Sequence, residues 1–135
     1  MGKKILLIED DLSVVEMLKK NLEKSDYEVS AAFDGIEGVK MAQQKKPDLI
    51  ILDVMLPKED GFSVLEQIKN SQDIAYTPII IISGLSSSEI KEKIPSYEAQ
   101  SKGSRTLFFL RKPFDIEELL TEIESFFNPK IEWSE

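Results

Sequence analysis

The sequence contains no cysteine and no histidine. The first absence excludes disulfides, thiolate metal sites and cysteine nucleophiles, and the second removes the key residue of catalytic triads, haem ligation and the usual zinc sites. Any bound metal should therefore be a hard cation held by oxygen atoms. The net charge of −8 argues against direct binding of nucleic acid, because phosphate contacts need clustered lysine and arginine.

Long hydrophobic runs are also missing. The apolar run near the N-terminus, Ile5–Ile8, ends at Glu9 and is too short for a signal peptide or a membrane span. We therefore expect a cytoplasmic protein without membrane insertion. A length of 135 residues suits one domain, and a hydrophobic content of 41% is enough to build its core.

Five short segments are predicted to be β-strands. Ile5–Ile8, Leu49–Leu52 and Ile79–Ile82 are almost continuously apolar, which is typical of strands that are buried on both faces of a parallel sheet. Tyr27–Ala32 and Thr106–Leu110 are weaker candidates. The parallel arrangement would bring the carboxyl ends of all five strands to one edge of the sheet.

Segments with helical periodicity separate these strands, and capping residues precede them. Alternating strands and helices indicate an α/β protein with an open, doubly wound sheet. The apolar positions of the helices are Val15, Leu18 and Leu22; Ile36 and Val39; Phe62, Leu65 and Ile68; and Ile116, Leu119, Leu120 and Ile123. The capping residues are Asp11 and the pairs Asp34 and Glu37, Ser86 and Glu89, and Asp115 and Glu118.

Polar residues stand at the carboxyl ends of four predicted strands. The first strand ends in Glu9–Asp11, the third in Asp53 and the fourth in Ser83, and Lys112 follows the last strand. Clustered carboxylates repel one another and become tolerable around a divalent cation, and oxygen ligands suit Mg²⁺. Such a cation lets a phosphoryl group approach an aspartate, which can form a covalent aspartyl phosphate.

Each of these residues also has an ordinary structural interpretation. Asp11 is better explained as a helix cap than as a ligand, Ser83 could be a turn residue, and Lys112 could be a surface lysine. Glu9 and Asp10 could be solvated loop charges. The convergence of all of them on one edge of the predicted sheet favours the functional interpretation.

Four segments closely resemble response-regulator receivers, and the resemblance extends from about Lys4 to Phe127. It implies a flavodoxin-like, five-stranded parallel sheet in the order 2-1-3-4-5 with helices on both faces. We expect a receiver domain over residues 1–128 and a short tail over 129–135, without an output domain. The segments are Lys4–Asp11, Pro47–Pro57, Asp60-Gly61 and Lys112–Phe114.

The resemblance also implies a metal site. Asp53 would be both phosphoacceptor and ligand, and Asp10 would bind Mg²⁺ directly, with Mn²⁺ as a substitute. Glu9 would act through a water molecule, and the backbone carbonyl of Met55 would complete the protein ligands.

Further roles follow from the same resemblance. Lys112 would bind the phosphoryl group, and the Lys112-Pro113 bond would be cis. Ser83 matches the switch hydroxyl, and Phe109 matches the aromatic switch position, although a purely buried role for Phe109 is an alternative. The implied donor is a sensor histidine kinase or a histidine phosphotransfer protein. A downstream protein would read the surface of helix four, strand five and helix five.

The implied protein is a monomer or weak homodimer. It is not an enzyme beyond self-catalysed phosphotransfer and autodephosphorylation. One alternative is a receiver-fold adaptor that acts by constitutive contacts without phosphorylation. A flavin-binding or hydrolytic α/β protein is disfavoured, because Glu9–Asp11 would repel a flavin phosphate and no strong general base is evident.

The sequence departs from the family pattern between Ser83 and Lys112, which are further apart than usual. Ser96–Arg105 replaces the segment that normally precedes the last strand. A tolerated loop insertion and a remodelled partner surface both explain this change. The tail contains Trp133, the only tryptophan, and the sequence does not assign it a role.

Overall fold

Strands and helices alternate along the chain, as the hydrophobic pattern predicts. The computed structural model describes residues 2–56, 60–94 and 107–128. The strands are β1 Lys4–Ile8, β2 Glu28–Ala32, β3 Leu49–Asp53, β4 Ile79–Ser83 and β5 Leu107–Arg111. The helices are α1 Leu12–Lys24, α2 Gly35–Lys45, α3 Gly61–Lys69, α4 Ser87–Lys93 and α5 Ile116–Phe127.

The five strands form one parallel sheet in the order β2-β1-β3-β4-β5, which confirms the expected topology. The register pairs Ile8 with Leu52, Asp53 with Ile82, and Ser83 with Arg111. Because the strands run in the same direction, their last residues lie along one edge. We call it the carboxyl edge.

Helices cover both faces of the sheet, which explains why the central strands are apolar at all but their terminal positions. Successive side chains along a strand point to opposite faces. Leu6 and Ile8 therefore belong to a core with Ala42 of α2 and Val64 of α3, whereas Leu7 belongs to a second core. The second core also contains Leu18 and Leu22 of α1 and Leu119 and Ile123 of α5.

Side chains that precede the helices satisfy backbone N–H groups of the first turns. Asp34 accepts a hydrogen bond from the Glu37 amide at 2.8 Å, and the Glu37 carboxylate accepts one from the Phe33 amide at 3.2 Å. Ser86 and Glu89 form the reciprocal pair that the sequence predicts. These bonds fix where α2 and α4 begin, directly after the loops of the carboxyl edge.

Several expectations fall outside the described residues. They include the first residue of the predicted fifth strand, Thr106, the divergent segment Ser96–Arg105, and the tail with Trp133. Over the residues that the structure does describe, none of the helices has the length and apolar character needed to cross a membrane.

Candidate functional site at the carboxyl edge

Three carboxylates meet at the carboxyl edge. Glu9 and Asp10 directly follow β1, and Asp53 is the last residue of the neighbouring strand β3. Each of the three residues has an oxygen atom that lies within 4.8 Å of the others. Glu9 and Asp53 are only 1% and 3% exposed, whereas Asp10 is exposed. Two buried acidic groups thus share a small volume, which is unfavourable unless a positive charge lies nearby.

Lys112 supplies one such charge. Its Nζ donates hydrogen bonds to Glu9 Oε1 at 3.0 Å and to Asp53 Oδ2 at 3.2 Å. The Lys112 amide donates to the Ser83 carbonyl at 2.7 Å, which holds the lysine at the end of the β4–β5 pair. The Lys112-Pro113 peptide bond is cis, as expected. The sequence predicts Lys112 at this edge of the sheet but does not predict its hydrogen bonds to Glu9 and Asp53.

The charges of these groups influence one another. Burial is the main cause that raises the pKa of Glu9 to about 7; the hydrogen bond from Lys112 opposes this rise, and the neighbouring Asp53 adds to it. Burial pushes the pKa of Lys112 down, but its hydrogen bonds and charge interactions with Glu9 and Asp53 outweigh that effect, so the lysine pKa lies above its usual value. The single positive charge of Lys112 therefore does not neutralise the three carboxyl groups of the cluster.

Backbone amides orient the two buried carboxylates. Asp53 Oδ1 accepts a hydrogen bond from the Met55 amide at 2.8 Å, and Glu9 Oε2 accepts one from the Asp11 amide at 3.2 Å. The donor set contains oxygen atoms only, and its excess negative charge fits a hard divalent cation such as Mg²⁺. The structure thus places Met55 beside Asp53, while coordination through the Met55 carbonyl stays a prediction.

Asp11 has a different role. Its Oδ1 accepts hydrogen bonds from the Ser13 amide at 3.0 Å and from the Ser13 hydroxyl at 2.7 Å. The Ser13 hydroxyl and neighbouring amides hold the pKa of Asp11 below its ordinary value. The side chain caps α1, as the sequence favours, and it is not part of the acidic cluster.

The two proposed switch residues lie on β4 and β5. Ser83 ends β4 and is fully buried, and its Oγ accepts a hydrogen bond from the Leu85 amide at 3.1 Å. Phe109 is half-buried and packs against the core on the α2 and α3 face. It pairs with Ile81, two residues before Ser83. The structure therefore brings Ser83 to the carboxyl edge and places Phe109 on the adjacent strand.

A close backbone contact fixes the loop that follows Asp53. The Gly61 amide donates to the Val54 carbonyl oxygen at 3.2 Å, and a Cβ atom on Gly61 would overlap Val54 Cα and lie 2.6 Å from the Val54 carbonyl carbon. Val54 lies between Asp53 and Met55, so this contact positions two residues of the site. The sequence indicated a turn at Asp60-Gly61 but did not reveal the backbone that this turn approaches.

The fold and the site define a flavodoxin-like α/β protein whose sheet edge carries an acidic cluster and a lysine. Comparison with known proteins makes the class specific. The profile of the response regulator receiver domain matches residues 5–124. The chain therefore belongs to the response regulator receiver family, as its motifs predict.

Relatives of known identity agree with this assignment. The DNA-binding dual master transcriptional regulator RpaA of Synechocystis is 37% identical over 122 residues, which cover 90% of this chain and 48% of RpaA. The chain thus spans about half the length of that curated relative. The solved chemotaxis response regulator CheY4 of Vibrio cholerae has a TM-score of 0.79 and 30% identity, covering 93% of this chain and 99% of CheY4.

A further solved structure bears on the metal. The receiver domain of the sensor histidine kinase PA1611 from Pseudomonas aeruginosa has a TM-score of 0.71 and 27% identity, covering 93% of this chain and 98% of that domain. It holds a magnesium ion coordinated in its active-site cleft. That ion belongs to the PA1611 domain, and the acidic cluster of Glu9, Asp10 and Asp53 could hold a metal ion as well.

Proposed function

We propose that this domain accepts a phosphoryl group on Asp53, in a Mg²⁺-dependent reaction, from a sensor histidine kinase or a histidine phosphotransfer protein. The arrangement of Lys112 carries the proposal, because its ammonium group lies between the buried carboxylates of Glu9 and Asp53. A lysine held there can bind the oxygens of an incoming phosphoryl group without moving far. The exposed Asp10 lies close to both carboxylates and would be a further acidic ligand.

The transfer is a single displacement. One carboxylate oxygen of Asp53 attacks phosphorus, and the P–N bond of the donor phosphohistidine breaks with its electron pair remaining on the imidazole, which takes a proton from solvent. Lys112 holds one phosphoryl oxygen, and the Ser83 hydroxyl donates to another. In autodephosphorylation, water attacks phosphorus, the P–O bond to Asp53 breaks, and inorganic phosphate leaves.

Asp10, Asp53 and the Met55 carbonyl would hold the cation directly, and Glu9 would hold it through water. When bound, Mg²⁺ or its substitute Mn²⁺ neutralises charge on the phosphoryl oxygens. The excess of carboxylates over lysine supports this assignment. The protein would turn over no separate substrate, so its chemistry is limited to self-catalysed phosphotransfer and autodephosphorylation.

The signal would leave through a protein surface. We propose that phosphorylation changes the face formed by α4, β5 and α5, which a downstream protein reads in the cytoplasm. The domain would work as a monomer or weak homodimer. We propose no direct contact between the domain and nucleic acid, since its net charge is −8.

Incubation with acetyl phosphate and Mg²⁺ tests the phosphoacceptor. We expect a stoichiometric gain of one phosphoryl group by intact-mass measurement, and complete loss of that gain in Asp53→Asn or with a chelator. Asp48→Asn is the matched control, because Asp48 is an exposed aspartate that binds the Lys4 amide at 2.7 Å, at the opposite edge of the sheet. If the wild type is never labelled, by acetyl phosphate or by a panel of histidine kinases, the constitutive-adaptor hypothesis replaces this proposal.

The switch has its own test. Ser83→Ala is expected to reach full labelling, at a rate lowered by less than about tenfold, because one hydrogen bond to the phosphoryl group is lost. The phosphorylated variant should show much smaller NMR shift changes over Leu107–Arg111 than the wild type, since the hydroxyl that couples the phosphoryl group to β4 is absent. Ser63→Ala on the surface of α3 serves as control. Shift changes of equal size in Ser83→Ala and wild type would refute the proposed role.

A further inference from the structure

A partly buried lysine lies outside the site described above, at the opposite edge of the sheet. Lys69 belongs to the last turn of α3, and the loop over residues 70–78 connects this turn to the start of β4. The Lys69 Nζ donates a hydrogen bond to the Ala75 carbonyl at 3.4 Å. The side chain therefore joins the end of the helix to the middle of the loop.

The loop that accepts this hydrogen bond is fixed by contacts of its own. The Ser71 amide donates to the Ile68 carbonyl at 3.1 Å, and the Thr77 amide donates to the Ile74 carbonyl at 3.1 Å. The Ile74 side chain is 1% exposed and belongs to the core on the α2 and α3 face. The Lys69 amine thus lies against an anchored segment of backbone, where it is partly withdrawn from water.

No carboxylate compensates the charge of Lys69 over the residues that the structure describes. The acidic residues nearest to it in sequence are Glu66 and Asp73. Glu66 is exposed and forms no ion pair with Lys69, and Asp73 forms its ion pair with Lys46 at 3.9 Å. A single carbonyl oxygen compensates a partly buried ammonium group poorly, so the uncharged amine is favoured. In agreement, burial lowers the pKa of Lys69 to about 8, and it is the only cause of this shift.

Lys112 shows that partial burial of a lysine does not by itself favour the uncharged amine. Its side chain is also partly buried, but its Nζ donates to Glu9 and Asp53, and these contacts keep its pKa above the ordinary value. The two lysines therefore differ in their acidic partners. An uncharged amine has a free electron pair and is a nucleophile, whereas an ammonium group is not.

We propose that Lys69 is a site of covalent acylation by small activated acyl donors, whose acyl carbon carries a good leaving group. The uncharged amine attacks the acyl carbon, and the bond from that carbon to the leaving oxygen breaks with its electron pair remaining on the oxygen. The nitrogen then releases one proton to solvent. The amide product is uncharged and retains one N–H group for the Ala75 carbonyl, and no described carboxylate loses a partner.

Partial acetylation of the full chain by p-nitrophenyl acetate at about pH 7.5 tests this proposal, because this donor carries no phosphoryl group for Asp53. An amine with a pKa of about 8 is uncharged roughly 200 times more often at that pH than one with the ordinary value of 10.5. Nucleophilicity falls with basicity, as it does for thiolates, and restricted access slows the reaction further. We therefore expect acetylation of Lys69 to be about fivefold faster, or more, than that of exposed lysines.

Lys24 and Lys45 are matched controls within the same molecule, because they are exposed and occupy the last turns of α1 and α2. Peptide mass spectrometry measures the rate at each lysine, and Lys69→Arg should remove the fast adduct from the intact-mass spectrum. In urea above the unfolding transition, Lys69 should react at the rate of the controls, since its burial is lost.

Two results would overturn the proposal. One is a rate at Lys69 in the folded chain that equals or falls below the rates at Lys24 and Lys45, since the fold would then give the amine no added reactivity. The other is a preference for Lys69 that persists in urea, since it would result from the local sequence and not from the contact with the loop.

Discussion

Replacing Lys112 with methionine is expected to slow labelling of Asp53 by acetyl phosphate at least a hundredfold, the usual effect of removing one donor to a developing anion. The same change should lower the free energy of unfolding by about 2 kcal/mol in the absence of Mg²⁺, because buried Glu9 and Asp53 lose their only described cationic partner. The side chain of Lys112 is 31% exposed, which keeps this loss below that of a fully buried pair.

Urea denaturation, monitored by circular dichroism, measures the free energy of unfolding, and the increase in intact mass with time measures the labelling rate. Lys46→Met is the matched control, since the Lys46 side chain forms an exposed 3.9 Å ion pair with Asp73 and its loss should change stability by less than about 0.5 kcal/mol. Adding Mg²⁺ should restore part of the stability of Lys112→Met, because the cation replaces the missing charge. A Lys112→Met protein that is labelled at the wild-type rate would show that the lysine does not serve phosphoryl transfer.

Gly61→Ala is expected to lower the free energy of unfolding by about 2 kcal/mol and to slow labelling at least tenfold. The new Cβ would overlap the Val54 backbone, which cannot move aside as a flexible side chain can. Val54 must then shift, and with it the Met55 amide that holds Asp53 Oδ1 at 2.8 Å. The phosphoacceptor therefore loses its orientation along with the stability of the loop.

Gly84→Ala provides the comparison, since a Cβ atom there has nothing within 4 Å and should change stability by less than about 0.5 kcal/mol. Both glycines lie in or next to loops of the carboxyl edge, so the pair isolates the effect of the backbone contact. Unfolding curves and labelling rates of Gly61→Ala that coincide with those of Gly84→Ala would contradict the argument.

The strands could be predicted from the sequence because burial on both faces requires apolar residues at every position, as in Ile5–Ile8 and Ile79–Ile82. The ends of the strands were harder to predict, because a polar residue can also form the last backbone hydrogen bonds of a strand. Asp53 and Ser83 were predicted at the ends of their strands, and both are the last strand residues, whereas β1 ends at Ile8, before the acidic residues that were predicted to end it. The weak β2 was harder to recognise, because it is an edge strand whose residues are largely half-exposed.

The composition of the site was also predictable, since the carboxyl ends of parallel strands converge on one edge. Individual contacts were not. The hydrogen bond from Lys112 to Glu9 depends on side-chain directions across 103 positions of sequence. The approach of Gly61 to Val54 depends on the packing of α3 against β3. The 73% exposure of Ile36 could not be predicted either, because residue type alone does not determine how exposed a side chain is.

Lys112 follows β5, an edge strand that pairs with β4 alone among the described strands. Local opening of a sheet begins at an edge strand, because such a strand has backbone hydrogen bonds to one neighbouring strand instead of two. A local opening that detaches β5 also withdraws the ammonium group from Glu9 and Asp53, so the uncompensated repulsion between the carboxylates disfavours the open form. Amide hydrogen exchange in β5 and the charge balance of the site are therefore thermodynamically linked, and an ion or phosphoryl group bound at the site changes the protection of a strand that carries none of the acidic ligands.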